Sequence, residues 1–342
     1  MTRAQRWTLL AAVVASGIVF LDSTVVNLAL KRIGEELPRV TAIGVLEGQA
    51  YVGSGYLAVL AALLIIAGAL ADRFGRRRIF IIGLTAFGFI SVLCGIAPTL
   101  EFLIVARLLQ GAAGALLVPI SLAIITACFE GPARARAFGL WAASTSALTL
   151  LGPILGGLLV DNLTWRLAFL INVPLVALAL FAAVRHVVES RDPDATGQFD
   201  WLGALVGALA VGGLAFGAIH GQESHWSDPL ALISLAVGAI CLVLFPILMA
   251  RRPHPLVPLS LFRNREFAAV NLATFLVYGP LYVSFDYTAL LYQGVLGYSA
   301  TGAAVIGLPA GVLLAVLSAR FGTLTGRYGP RPFLVAGPLI EK

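Results

Sequence analysis

Residues 44–97 read GVLEGQAYVGSGYLAVLAALLIIAGALADRFGRRRIFIIGLTAFGFISVLCGIA. Two apolar runs, at 44–70 and 79–97, flank a short loop that holds most of the charge in this stretch. A bilayer core about 30 Å thick needs about 20 apolar residues in a helix, so each run is long enough to cross it. The stretch therefore predicts two membrane-spanning helices joined by a tight basic turn.

The same alternation continues along the whole chain of 342 residues, of which 59% are hydrophobic and 12% are charged. Soluble chains carry about 25% charged residues, so a lipid bilayer is the solvent that fits this composition. We predict an all-α polytopic membrane protein with ten spans, and an eleventh span that begins near Phe333 and is incomplete. The predicted spans are 7–30, 44–70, 79–97, 100–127, 138–160, 166–184, 201–220, 229–250, 267–292 and 300–319.

The lysines and arginines predict the orientation of these spans. With the amino terminus inside, seventeen of them fall in inner segments and four in outer segments. Positive residues near short loops face the cytoplasm, so this bias predicts an amino terminus in the cytoplasm. We expect the protein in the cell inner membrane. The four outer residues are Lys31, Arg32, Arg39 and Arg166.

Several classes of function are excluded. The net charge of +6 is explained by these loops, and no basic surface with interleaved aromatic residues lies outside the spans, so we expect no nucleic-acid partner. The sequence contains no G-x-x-x-x-G-K-[ST] phosphate loop and no H-E-x-x-H motif. Cys94, Cys128 and Cys241 fall at different depths in their predicted spans, which argues against a disulfide and against a metal site. We expect no cofactor, metal site or enzymatic activity, and His220 should be an ordinary interfacial residue.

An internal repeat indicates how the spans are grouped. The pattern G-x-L-x-x-R-[FY]-G-x-R occurs at 68–77 and again at 322–331, each time after the second helix of a candidate bundle. Two such copies indicate parallel repeats of six helices. We predict an amino-terminal six-helix bundle over 1–185 and a linker with two inserted transmembrane helices over 186–266. A partial carboxyl-terminal bundle, with two helices and the start of a third, follows over 267–342.

Several motifs resemble those of one family. GALADRFGRRR at 68–78 resembles the inner-loop signature of the major facilitator superfamily, and RLLQGAAGALLVP at 107–119 resembles its helix-four motif. LGPILGGLL at 151–159 resembles the helix-five motif associated with antiporters. LDSTVVNLAL at 21–30 and WRLAFLINVP at 165–174 are similar to motifs of the fourteen-helix drug:proton antiporter branch.

This resemblance implies a proton-coupled antiporter that exports small hydrophobic or cationic compounds. The chain departs from the branch at Lys31, where proline is common, and it ends inside its eleventh helix. We therefore expect the 342-residue chain, expressed alone, to give no efflux and to yield a protease-resistant core that ends before about Phe267. A facilitator for one metabolite and a non-functional truncated transporter fragment remain as alternatives.

Three charged residues within the spans are candidates for chemistry: Asp22, Arg107 and Asp286. A charge at the bilayer centre costs about 2.5–3.5 kcal/mol on insertion scales. Helix geometry places the three at similar depths, ~12, ~11 and ~9 Å from the outer end of their spans. A buried carboxylate beside a cation can exchange a proton near neutral pH. With the resemblance, this indicates proton coupling by Asp22 and Arg107, and a static ion pair is the alternative.

A substrate cavity is predicted from a glutamine and from the ninth span. Gln110 lies on the same helix face as Arg107, where it could orient the arginine or simply satisfy a neighbouring helix. Tyr278, Tyr282 and Asp286 share one stripe of the ninth span, and aromatic faces with a carboxylate suit a cationic compound. Ordinary helix packing is the alternative for each of these residues.

Two motifs are predicted to serve conformational change. The charges of the inner loop indicate a latch that holds the bundles in an outward-open state. Its residues are Gly68, Asp72, Arg73, Gly75, Arg76 and Arg77. The helix-five motif predicts close helix approach and a kink through Gly152, Pro153, Gly156 and Gly157. Positive-inside bias and packing without mechanism are the respective alternatives.

Overall fold

The computed structural model describes residues 1–41, 43–192, 199–223, 226–253 and 255–307, and five single positions at 309, 312, 313, 317 and 320. Over these ranges the chain is helical and contains no strand. Residues 278–290 are described by their backbone and by few of their side chains.

Twelve α-helices are described. They are α1 (Arg3–Glu36), α2 (Val45–Ala50), α3 (Tyr56–Phe74), α4 (Arg76–Gly95), α5 (Leu100–Ala115), α6 (Val118–Cys128), α7 (Gly131–Asn162), α8 (Leu167–Leu170), α9 (Asn172–His186), α10 (Trp201–Glu223), α11 (Pro229–Arg251) and α12 (Arg265–Leu290). Two π-helical turns cover Tyr51–Gly55 and Leu291–Val295, a 3-10 turn covers Leu259–Arg263, and residues 300–307 are helical.

Eight helical stretches in the described ranges are long and apolar enough to cross a membrane. They are Arg3–Glu36, Val45–Phe74, Arg76–Gly95, Leu100–Cys128, Gly131–Asn162, Leu167–His186, Trp201–Gln222 and Pro229–Arg251. Each coincides with one of the first eight predicted spans, which confirms a multi-pass membrane protein. The predicted ninth span coincides with α12. The tenth is helical over 300–307, and the predicted eleventh lies outside the described residues.

Some helices extend beyond their predicted spans. α1 begins at Arg3, where the Thr2 side chain accepts a hydrogen bond from the backbone of Gln5 in a capping box. It ends only at Glu36, because helical hydrogen bonding does not require apolar side chains and so continues past the last apolar residue. We call the membrane side of Arg3 the inner side and that of Glu36 the outer side.

α1 is the central helix of the fold. Of its apolar window 67% is buried, against 17% for α11. α1 packs against α6, α7 and α9, and buried side chains of α4 and α5 complete the core. α10 and α11 form a hairpin, and α10 packs on α3. The hairpin therefore lies at the periphery of the described structure.

Three of the eight membrane crossings in the described ranges are interrupted, and two of the interruptions position the site. The second crossing contains the π-helical turn Tyr51–Gly55. The fourth is interrupted at Leu116 and Leu117, just before Pro119. The sixth is interrupted at Ile171, between α8 and α9. Pro174 follows three residues later, and it has no N–H to donate to the carbonyl four residues before it. Hydropathy alone predicted continuous spans at all three places.

Candidate functional site

A buried ion pair lies inside the helical bundle. Oδ2 of Asp22, on α1, lies 2.5 Å from Nη1 of Arg107, on α5. Their side chains are 0% and 1% exposed. The contact confirms that these two charges lie at the same depth, as helix geometry predicted. Because water cannot reach them, protein groups must satisfy both charges.

Arg107 also contacts a backbone carbonyl, a side-chain amide and aromatic rings. Its Nε donates to the backbone carbonyl of Val52 at 2.9 Å, and its Nη1 also donates to Oε1 of Gln110 at 2.7 Å. The guanidinium carbon lies 3.9 Å from the centre of the Tyr56 ring, a cation–π geometry. Val52 belongs to the π-helical turn, a type of irregularity frequent at functional sites. The turn thus supplies a backbone acceptor for an internal guanidinium.

The second oxygen of Asp22 is bound by two side-chain amides. Its Oδ1 accepts from Nδ2 of Asn172 at 2.7 Å and from Nε2 of Gln110 at 3.3 Å. Nε2 of Gln110 also donates to Oγ of Ser91 at 2.9 Å. Ser91, Gln110 and Asn172 are each fully buried. We call these three residues, together with Asp22 and Arg107, the polar cluster.

The cluster forms because four helices and the π-helical turn meet at one depth. α1 supplies Asp22, α4 supplies Ser91, α5 supplies Arg107 and Gln110, and α9 supplies Asn172. Arg107 and Gln110 lie three residues apart, so they share a helix face as predicted. Both amide ends of Gln110 are used within the cluster, and its contribution to a substrate cavity stays a prediction.

The other residues of the predicted cavity lie on α12. Tyr278, Tyr282 and Asp286 are all within this helix, and their side chains are outside the described part of the structure. Their role as cavity residues therefore also stays a prediction.

The inner loop between α3 and α4 contacts the segment that follows α9. Gly75 makes the turn with a φ of 107°, a backbone conformation that glycine adopts without steric cost. Nη2 of Arg76 lies 2.7 Å from Oδ1 of Asp72. The carboxylate of Glu189 accepts the backbone N–H of Arg77 at 3.0 Å, at the start of α4, where a helix favours an anion.

These contacts fasten the loop to the end of α9. The side chain of Arg77 donates to the carbonyl of Val184 at 2.8 Å, and the backbone of Arg76 donates to Ser190 at 2.9 Å. A latch between two bundles, which would also use Gly68 and Arg73, remains a prediction. The second copy of the loop pattern, at 322–331, lies outside the described residues.

The glycines of the helix-five motif allow α7 to approach two neighbours. A Cβ on Gly156 would lie 3.0 Å from Cα of Val25 on α1, and a Cβ on Gly157 would lie 2.7 Å from Cα of Thr301. Gly152 faces α1 beside Thr24. The predicted close approach is confirmed, and α7 continues as one helix through Pro153.

The sequence profile of the Major Facilitator Superfamily matches residues 12–340. The chain belongs to the major facilitator superfamily. The superfamily consists of transporters, which accords with the multi-pass helical fold.

Superfamily relatives similar to this chain are named for drug resistance. Multidrug resistance protein Stp of Mycobacterium tuberculosis is 36% identical over 338 residues, which are 98% of this chain and 62% of Stp. The methylenomycin A resistance protein of Bacillus subtilis is 37% identical over 309 residues, 90% of this chain and 65% of that protein. The puromycin resistance protein pur8 of Streptomyces alboniger is 34% identical over 340 residues, 98% of this chain and 65% of pur8. The chain thus spans less than two thirds of these relatives.

Solved transporter structures share the fold. A peptide transporter of the POT family in complex with a thioalcohol-conjugated peptide has a TM-score of 0.63 at 13% identity, over 95% of this chain and 70% of that one. The human organic anion transporter MFSD10 has a TM-score of 0.60 at 17% identity, over 92% of this chain and 71% of that one. Identities this low show the major facilitator fold alone.

Sequence reasoning missed two members of the polar cluster in this superfamily member. Asn172 and Ser91 are single polar residues within apolar runs, and a polar side chain inside a membrane span usually marks an interaction. That signal could have identified both. The Val52 carbonyl had no such signal, because a backbone acceptor leaves no trace in residue type.

His220 is more than the interfacial residue that its position predicted. Its Nδ1 lies 3.0 Å from Oε1 of Glu47 and its Nε2 lies 2.8 Å from Oδ2 of Asp228. The backbone N–H of Leu230, and then His220, hold the pKa of Asp228 below its usual value. The histidine therefore fastens the outer end of α10 to α2 and to the start of α11.

Proposed function

We propose that the whole protein is a proton-coupled antiporter that exports small hydrophobic or cationic compounds across the cell inner membrane. Its amino terminus would lie in the cytoplasm. The observation that carries the proposal is the fully buried pair of Asp22 and Arg107 within a transporter fold. Charges inside membrane proteins are costly and usually functional. The drug-resistance names of similar proteins support export of antibiotics as the direction and class of transport.

In this proposal Asp22 is the residue that takes up and releases the proton. While it is ionised, the Arg107 guanidinium holds it and ties α1 to α5. Protonation removes the charge of the carboxyl group and weakens that tie, because the Coulomb attraction between the two side chains is lost. A proton that binds one conformation better than the other shifts the balance between them.

Alternating access in this fold needs two bundles that move about a site near the bilayer midplane. We assign residues 1–185 to the first bundle, 186–266 to the linker with two inserted helices, and 267–342 to the second bundle. Gln110, Tyr278, Tyr282 and Asp286 are the proposed cavity residues. The lipid bilayer, protons and the exported compound are then the partners of the protein.

The test is drug efflux from a drug-sensitive bacterial host. Because the chain spans 62% of Stp, it is produced both as it stands and joined to the unmatched remainder of Stp. We expect at least one form to expel puromycin or another antibiotic of a small panel, and to stop when the proton gradient is collapsed. Normal insertion without efflux from either form, or efflux that survives collapse of the gradient, contradicts the proposal.

Asp22→Asn should abolish this efflux while the protein still inserts, since an amide keeps the shape of the carboxyl group but cannot exchange a proton. Glu35→Gln is the matched control: it is the same change on the same helix, at an exposed position. Efflux by Asp22→Asn with an unchanged pH dependence would remove Asp22 from the mechanism.

A further inference from the structure

Asn172 has a feature that the proposed use of Asp22 does not explain. Its Nδ2 donates to Oδ1 of Asp22 at 2.7 Å. Its own Oδ1 is buried and has no hydrogen-bond partner among the described residues. Buried polar atoms are nearly always hydrogen-bonded, so an unpartnered amide oxygen beside a buried carboxylate calls for a reason.

Donors alone face the carboxylate of Asp22 in the described structure. Oδ2 meets Nη1 of Arg107, and Oδ1 meets the amide nitrogens of Gln110 and Asn172. A proton added to either oxygen would point at an N–H group. Arg107 has no acceptor atom, and Oε1 of Gln110 already accepts from Arg107 at 2.7 Å. Neither residue can become an acceptor without losing its present partner.

Asn172 can become one, because a half-turn of its carboxamide exchanges Oδ1 and Nδ2. That rotation brings the unpartnered oxygen to the position from which the nitrogen now donates to Asp22. We propose that Asn172 is a positioning residue whose amide donates to the ionised carboxylate of Asp22 and, after a half-turn, accepts from the protonated form.

In this step, in a conformation that opens the site to water, a hydronium ion gives its proton to Oδ1 of Asp22: an O–H bond forms there, one O–H bond of the hydronium breaks, and a water molecule remains. The inference rests on the proposed function only in giving that proton a use in transport. Tyr56 from α3 and Cys94 from α4 are the other titratable side chains near the Asp22–Arg107 pair in the described structure. The Tyr56 ring lies against Arg107, and Sγ of Cys94 lies 3.5 Å from Oε1 of Gln110.

The test measures the protonation of Asp22 directly. The purified full chain in lipid nanodiscs is titrated while infrared difference spectra record the stretch of the protonated carboxyl group. The band that is absent in Asp22→Asn belongs to Asp22, and its pH dependence gives the midpoint. Because no transport is measured, a failed efflux assay leaves this result unaffected, and the two proposals can fail separately.

Two variants of Asn172 should change the protonation midpoint of Asp22. Asn172→Asp should raise the midpoint by one pH unit or more, at least about tenfold in proton affinity, because a second carboxylate at that distance disfavours the charged form. Asn172→Leu should raise it by about one unit, since the ionised form loses a stronger hydrogen bond than the protonated form does. If the leucine variant does not fold, the band of isotope-labelled Asn172 in the wild-type protein still decides the question.

Ser121→Ala is the control, because Ser121 is fully buried, lies outside the polar cluster, and has a hydroxyl without a hydrogen-bond partner among the residues that the structure describes. It should leave the midpoint unchanged. With isotope-labelled asparagine, the side-chain carbonyl band that is present in the wild type and absent in Asn172→Asp belongs to Asn172, and it should shift at the same pH at which Asp22 titrates. A midpoint that Asn172→Asp does not move, or an asparagine band that stays constant across the titration, overturns the proposal.

Discussion

At the scale of single residues, Arg107 makes more contacts than a charge partner for Asp22 needs. Its planar guanidinium reaches the Val52 carbonyl, the Gln110 amide and the Asp22 carboxylate, and it lies against the Tyr56 ring. A lysine ammonium at this position would keep the charge but lose the fixed fork and the planar face. The identity of the residue therefore matters as well as its charge.

We predict that Arg107→Lys lowers both stability and efflux. Loss of the charge-assisted hydrogen bond to the Val52 carbonyl alone costs about 1.5–3 kcal/mol. The measurements are the midpoint temperature of unfolding in nanodiscs and drug efflux, the latter in whichever form of the protein transports, the chain as it stands or the chain joined to the remainder of Stp. Arg3→Lys, at an exposed position in the first turn of α1, is the control and should leave both values unchanged. An Arg107→Lys protein with wild-type stability would show that the guanidinium geometry is dispensable.

At the scale of helices, α7 connects the central helix to the start of the tenth span on the outer side. The carboxylate of Asp161, on α7, accepts hydrogen bonds from the backbone N–H of Ala300 at 3.2 Å and of Thr301 at 2.8 Å. It thus caps the first residues of the tenth span. Nearby, Nζ of Lys31 donates to the carbonyl of Gln293 at 3.2 Å. Lys31, which departs from the family motif, thus contacts the π-helical turn that precedes the tenth span.

Gly157 is the position on which this contact depends, because its missing side chain leaves room for the backbone of Thr301. We predict that Gly157→Leu separates the two helices and speeds hydrogen exchange of the amides at 300 and 301 by about tenfold or more, since each loses a carboxylate acceptor. The measurement is hydrogen exchange read by mass spectrometry. Gly139→Leu on the same helix is the control, because a Cβ at Gly139 has no heavy atom within 4 Å. Equal exchange in the two variants would contradict the prediction.

At the scale of the whole molecule, the proposed orientation depends on the basic loops. The loops at 73–78, 134–136 and 251–265 carry clustered positive charge, and by the positive-inside rule we propose that they face the cytoplasm. With the three native cysteines replaced by serine, we predict that Arg78→Cys resists a membrane-impermeant thiol reagent added to intact cells. Val40→Cys should react, because Val40 is 77% exposed on the opposite side. Labelling of position 78 but not of position 40 would invert the topology.

How much of the structure could be predicted from the sequence differs between single residues, helices and the whole molecule. Hydropathy and length predicted all eight crossings, with ends that differ by up to seven residues from the helices in the structure. Helix geometry put Asp22 and Arg107 at one depth. The pattern at Gly156 and Gly157 correctly predicted close approach. Which neighbour each glycine meets could not be predicted, since that depends on how α7 is rotated about its axis.

By itself, the sequence determined that this chain crosses a membrane many times, and its motifs indicated the family. Both properties follow from local quantities, namely the length and polarity of each run measured against the thickness of a bilayer. Only the tertiary structure decided that Asn172 and the Val52 carbonyl complete the site around Asp22 and Arg107, and that His220 fastens α10. These contacts join residues that are distant in sequence. They depend on the rotation and tilt of each helix, which packing between helices sets and hydropathy does not record.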